Sequence, residues 1–262
     1  MAAQSIQWLD DIVTLAGSPV RLRTGGAGAP LLMLHHDIGS PERPALHEVL
    51  AARFTVLAPS HPGYDGSARP AWLRNVRDIA VMYQALLAER GLTGVTCVGL
   101  GFGGWIAAEM ATMAPAQLRR LVLVGAMGIK PERGDIMDQA LVSYIEYIRA
   151  GFHDPAALAR AYGTELPTPL LEQWDVNRES TFRIAWRPYM FNPSLPPLLG
   201  SVKTPTLVLW GAEDRVVPLE CGERYAKAMP AATLRVIESA GHLVDMERPD
   251  DVARAIIDFA GA

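Results

Sequence analysis

The eight residues VGLGFGGW, Val98 to Trp105, hold the first candidate for chemistry in this chain. Gly99, Gly101 and Gly104 satisfy G-x-G-x-x-G, a spacing that wraps a dinucleotide pyrophosphate when it joins a strand to a helix. The same letters satisfy G-x-S-x-G with glycine at the serine position, a turn that otherwise presents a nucleophile. A second candidate is HHD, His35 to Asp37, which offers two imidazoles and a carboxylate. Adjacent side chains of a strand point to opposite faces, so this spacing predicts no metal site, and His35 is expected to be buried and hydrogen-bonded. A third is TFRIAWRPY, where the guanidinium forks of Arg183 and Arg187, with Trp186 between them, could hold a substrate carboxylate.

The elements around these residues decide between the readings. Short apolar runs alternate with helix-period segments, the rhythm of a mostly parallel sheet flanked by helices. IQWLDDIVTLA and VRLRTGG read as a hairpin about the turn AGSP. PLLMLHH, FTVLAPS, GVTCVGL, RLVLVGA, PTLVLWG and ATLRVIE follow, each rich in Leu, Val or Ile as a strand covered on both faces should be. In VRDIAVMYQALLAERG, Ile79, Met82, Leu86 and Leu87 recur at helical spacing and Gly91 supplies the stop. VGLGFGGW therefore comes after about five strands, and the next strand ends at Ala126 and Met127 with no acidic residue to hold a ribose. A dinucleotide site needs both features, so no nucleotide is expected. From about 130 to 199 the rhythm turns helical and aromatic-rich, which divides the chain into a core of 1–129 and 200–262 and an inserted helical cap of 130–199, some of whose aromatics line an apolar pocket.

The 262 residues are 50% hydrophobic and 20% charged, enough for one large α/β core. With 24 basic against 28 acidic residues the net charge is -4, and no basic stripe invites nucleic acid. Two cysteines, Cys97 and Cys221, form no disulfide framework or zinc spacing and suit a reducing compartment. The N-terminus lacks the pattern of a secretion signal and no stretch has the length of an apolar membrane span, so a cytoplasmic protein is expected, with a small-molecule partner and no membrane. The composition is compatible with a homodimer.

Four ordered motifs carry a resemblance to the α/β-hydrolase fold family over nearly the whole chain: LLMLHHDIG, PSHPGYDGSARP, GVTCVGLGFGGWIAAEM, and WGAEDRVVP followed by SAGHLVDMERPDDV. The resemblance implies an eight-stranded, mostly parallel sheet with a helical cap, and a catalytic carboxylate and histidine at Asp214 and His242; Glu213, beside Asp214, is the competing acid. A carboxylate on one imidazole nitrogen fixes the tautomer and leaves the other nitrogen as a general base.

The sequence departs from the family pattern at three points. Gly101 stands where the family carries its nucleophile, leaving that position vacant. Ser60 replaces the usual aspartate of the loop after the fourth strand, a position that is commonly structural, and His36 replaces the glycine of the family's His-Gly and is grouped with Arg183, Trp186 and Arg187 as substrate-binding. Asp37 and Phe102 fall in the region of the oxyanion hole, where an aspartate would oppose a developing negative charge unless protonated, turned away or itself an acid or base. These residues imply an enzyme acting on a small, partly apolar substrate without a covalent intermediate or cofactor, hydrolysing an ester or carbon–carbon bond by activated water or doing related proton-abstraction chemistry. A binding protein that has lost its nucleophile is the alternative. A serine at 101 is expected to reach His242 at a cost of about 1–3 kcal/mol in backbone strain.

Overall fold

A computed structural model describes residues 6–261. Eight strands form one sheet: β1 (Trp8–Leu15), β2 (Ser18–Gly25), β3 (Ala29–Leu34), β4 (Phe54–Pro59), β5 (Val95–Leu100), β6 (Leu118–Val124), β7 (Thr206–Gly211) and β8 (Ala232–Ile237). Their spatial order is β1-β2-β4-β3-β5-β6-β7-β8. β1 and β2 form the expected hairpin, and β2 also runs antiparallel to β4, while all other pairs are parallel. Ala16 and Gly17 turn that hairpin with φ of 48° and 77°, the two positive values that let a two-residue turn match the twist of its strands.

Every residue of β5 and β7 is buried, because helices cover both faces. On one face Leu31 and Met33 of β3 pack with α1 (Ala45–Ala51) and α10 (Pro249–Ala260). On the other, Leu32 and Leu34 pack with α2 (Val76–Glu89), α3 (Phe102–Met113) and α8 (Leu219–Ala228). The period-2 alternation of a strand assigns successive leucines to opposite cores. α2 buries Ile79, Met82, Leu86 and Leu87 as its spacing predicts, and begins at a capping box in which Asn75 Oδ1 accepts from Asp78 N–H while Asp78 Oδ2 accepts from Asn75 N–H. α3 packs so close to the sheet that a Cβ on Gly103 would meet the carbonyl of Leu34, so only glycine fits there.

Between β6 and β7 lie α4 (Tyr144–Ala150), α5 (Pro155–Tyr162), α6 (Thr168–Ala185) and α7 (Leu195–Leu199), and α9 (Val244–Glu247) follows β8. The run from 130 to 143, expected to be helical, is irregular. Side chains of this connection reach the turns after β3 and β4: Asn177 Nδ2 donates to the Ile38 carbonyl at 2.9 Å and Ser180 Oγ to that of Gly63 at 2.7 Å. Both cysteines are free and buried, and burial pushes each thiol up to about 12, which leaves them unreactive at neutral pH. Among the described residues no helix is long and apolar enough to cross a membrane.

Candidate active site

Four turns at the C-terminal ends of β3, β5, β7 and β8 bring His36, Asp37, Gly101, Asp214 and His242 together, the edge where open α/β sheets bind ligands. Gly101 closes β5 and opens α3 with φ 51° and ψ -110°, a conformation that strains a residue with a side chain. Its N–H donates to the Val124 carbonyl at 2.9 Å and its own carbonyl accepts from Met127 N–H at 3.0 Å, so the turn is pinned to the strand beside it. Phe102 is the first residue of α3, and its N–H belongs to the helix turn that has no partner within the helix.

Asp214, not Glu213, orients His242. Asp214 Oδ1 accepts from the N–H groups of Val216 and Val217 at 2.9 and 2.8 Å, which leaves Oδ2 for the Nδ1–H of His242 at 2.9 Å. Glu213 turns away and accepts from Ala240 N–H at 3.1 Å. The Asp214 bond places the His242 proton on Nδ1 and leaves Nε2 as a buried atom with no partner among the described residues. Burial opposes charging His242, but the Asp214 carboxylate, its hydrogen bond and the fields of Asp37 and Asp245 outweigh it, and the pKa lies above the usual histidine value.

A second imidazole is built the same way. His36 Nε2–H donates to Asp245 Oδ1 at 2.8 Å, and His36 Nδ1 is buried without a partner among the described residues. The His36 and His242 rings stand edge to face, 5.3 Å apart. Asp37 Oδ2 accepts from Tyr147 Oη–H at 2.8 Å and from Gln139 Nε2–H, while Oδ1 has no partner. Burial holds the Tyr147 pKa well above its usual value, so the hydroxyl remains a donor. The strand argument for HHD fails because β3 ends at Leu34: His36 and Gly39 close a turn, with Gly39 N–H on the His36 carbonyl at 3.0 Å, and the side chains of His36 and Asp37 converge instead of diverging. His35 is apart from them, buried, with Nδ1–H on the His36 carbonyl and Nε2 accepting from His61 N–H.

A Cβ built on Gly101 would lie 2.5 Å from His36 Nδ1 and 3.2 Å from His242 Nε2. His36 thus fills the space that a side chain at 101 would need. The expectation that a serine fits there for backbone strain alone is corrected: it must also displace a buried, hydrogen-bonded imidazole.

A model of the alpha/beta hydrolase family matches residues 28–255. The chain belongs to this family. It is 26% identical to a 2-hydroxy-6-oxo-2,4-heptadienoate hydrolase of Pseudomonas putida over 96% of each chain. It is 27% identical to a 2-hydroxymuconate semialdehyde hydrolase of a Pseudomonas species, over 94% of this chain and 92% of that one. The solved structure of a 2-hydroxy-6-oxo-6-phenylhexa-2,4-dienoate hydrolase from a Rhodococcus species superposes with a TM-score of 0.75 at 20% identity, covering 98% of this chain and 100% of that one, and so shares the fold.

In this alpha/beta hydrolase Arg183, Trp186 and Arg187, expected to bind substrate, are exposed. α6 buries Trp174, Asn177, Ser180, Thr181 and Ile184, and its opposite face is exposed. Arg183 is on that exposed face, with Nε on Glu179 Oε1 at 2.8 Å, an i,i+4 pair in solvent. Trp186 is 41% exposed and packs on Phe182 and Tyr189. Arg187 is exposed at the rim of a cleft lined by Trp105, Glu109 and Asn192. Sequence reasoning missed Asp245, Tyr147 and Gln139. Asp245 lies three residues after His242, close enough to have been weighed as a partner, whereas Gln139 sits in an irregular segment with no signal of its own.

Proposed function

We propose that this chain is a hydrolase that adds water to the carbonyl of a small, partly apolar substrate without forming a covalent enzyme intermediate. The observation that supports it most is the buried, unpartnered Nε2 of His242, held on Asp214 and facing the point where Gly101 has no side chain. Gly101 takes the position of the family nucleophile in this reading, and water replaces the missing hydroxyl. His242 Nε2 accepts a proton from that water as its oxygen bonds to the carbonyl carbon. The tetrahedral adduct then expels an alkoxide or a stabilised carbanion, which takes the proton from His242, so one water divides between an acid and an alcohol or C–H product. In this reading Phe102 N–H, at the first turn of α3, donates to the carbonyl oxygen.

The curated relatives carry the names of hydrolases of 2-hydroxy-6-oxo-dienoates and of a muconate semialdehyde, which favours a vinylogous dicarbonyl compound over a simple ester. In this reading residues 130–199 are a cap that closes over the substrate, since Tyr147 and Gln139 already reach Asp37.

The test is turnover of a 2-hydroxy-6-oxo-dienoate and of an activated ester by the wild type and by His242→Ala. A loss of about 10²–10⁴ in rate is expected. Intact-protein mass spectra during turnover should show no acyl adduct. Turnover indifferent to His242, or a trapped adduct, would overturn the reading. Ligand stabilisation without any turnover would point to a binding protein.

A further inference from the structure

Among the described residues, three buried polar atoms at the candidate active site have no hydrogen-bond partner: His36 Nδ1, Asp37 Oδ1 and His242 Nε2. Their residues are 1%, 1% and 2% exposed, so water outside the fold does not satisfy them. Buried acceptors left without a donor are costly, and three on neighbouring side chains need a common explanation. Each of the three residues offers one ligand atom within 4.8 Å of those of the other two, and His36 Nδ1 and His242 Nε2 both border the point where a Cβ on Gly101 would stand.

We propose that His36, Asp37 and His242 form the binding site of one divalent transition-metal ion, zinc or a neighbour in the first row. Two imidazoles and one carboxylate are a ligand set for such an ion and a poor one for magnesium or calcium, which take oxygen ligands. Three protein ligands leave open coordination positions, the arrangement of catalytic rather than structural sites. Ligand atoms bonded at about 2.0–2.2 Å stand about 3–3.5 Å apart, so the side chains close on the ion by about an ångström or somewhat more.

The groups behind the ligands match this assignment. Metal-bound histidines give their second nitrogen to a carboxylate or carbonyl, which fixes the ring and makes it a better donor. His36 gives Nε2–H to Asp245 and His242 gives Nδ1–H to Asp214, so each presents a lone pair to the same point. Asp37 is held through its other oxygen by Tyr147 and Gln139. Gly101 is what makes room, since its Cβ would stand 2.5 Å from His36 Nδ1. Asp37 also ceases to be an obstacle: beside an ion its charge is neutralised instead of opposing an oxyanion.

The chemical consequence rests on the hydrolase reading of this site with one change: an ion here would take the lone pair of His242, so in the zinc-loaded chain the ion, and not His242, would hold and acidify the attacking water, and the base role proposed above belongs to the metal-free chain. Ion binding itself rests only on the geometry.

The experiment is calorimetric titration of Zn²⁺ into untagged, chelator-treated wild-type protein, with Mg²⁺ as comparison and Co²⁺ absorption as a report of nitrogen and oxygen ligation. One zinc per chain is expected, with no heat from Mg²⁺ and visible d–d bands from Co²⁺. His36→Ala and Asp37→Ala should each abolish both signals, and Asp245→Asn, which keeps all three ligands, should weaken zinc binding by about 10–100-fold. Circular dichroism establishes that each variant is folded. Should a ligand variant unfold, Asp245→Asn and the wild-type Co²⁺ spectrum decide. No uptake by the wild type, uptake unchanged in the variants, or a cobalt spectrum of hydrated ion would overturn the proposal. The hydrolase reading fails separately, by absence of turnover in a chain whose zinc site is intact.

Discussion

Gly101 and His36 should behave as a coupled pair. Gly101→Ser places a side chain at φ 51°, which costs about 1–3 kcal/mol in backbone strain. Its Cβ also lies 2.5 Å from His36 Nδ1, and His36 has little room to yield because it is 1% exposed and bonded to Asp245. Overpacking of that kind adds about 1–3 kcal/mol. His36→Gly removes the obstacle but leaves the Asp245 carboxylate, 4% exposed, without its partner, at about 3–5 kcal/mol. The double variant loses the overpacking, so it should be about 1–3 kcal/mol more stable than the two single changes imply. Urea denaturation of the four proteins measures this coupling. An Asp245→Asn background removes the orphaned charge if His36→Gly alone does not fold. The new serine should be labelled by a phosphonate probe in the double variant, since Cβ stands 3.2 Å from His242 Nε2, and far less in Gly101→Ser alone. Additive stabilities within about 0.5 kcal/mol would refute the argument that His36 occupies the space of a side chain at 101.

Stability should fall on acidification below neutral pH because burial pushes His47 down to about 4 and holds His35 and His61 below the usual value. These groups are neutral in both states at high pH, and below about 6.5 the unfolded chain binds protons that the folded chain refuses. For His47 the loss runs from about pH 6.5 down to about 4 and amounts to about 3 kcal/mol, so denaturation of His47→Gln across that window should show a flatter decline, and an identical slope would contradict the burial argument. Asp214→Asn should lower turnover by about 10²–10⁴ with the fold intact by circular dichroism; a rate within a few-fold of wild type would show that Glu213 or another group orients His242. Arg183→Ala should leave KM unchanged and stability within about 0.5 kcal/mol, whereas a tenfold rise in KM would place Arg183 at the substrate after all.

The eight strands, the hairpin and the strand-turn-helix at Gly101 were legible in the residues because each is written locally, in alternation, helical spacing and turn composition. Asp214 and His242 were singled out only through the resemblance to the alpha/beta-hydrolase family, and the structure brings their side chains together because each follows a strand that ends at the same sheet edge. His36 and Asp37 were misread because one local fact, where β3 stops, reverses the direction of a side chain, and strand ends are set by hydrogen bonds to neighbouring strands. The exposure of Arg183 and Trp186 depended on which face of α6 is covered, and an amphipathic helix does not announce what will cover it. The pairing of His36 with Asp245 spans 209 positions and that of Asp37 with Tyr147 spans 110. No sequence period encodes such distances. Only folding, by bringing four turns to one edge and burying their side chains, gathers two histidines and an aspartate into a single site.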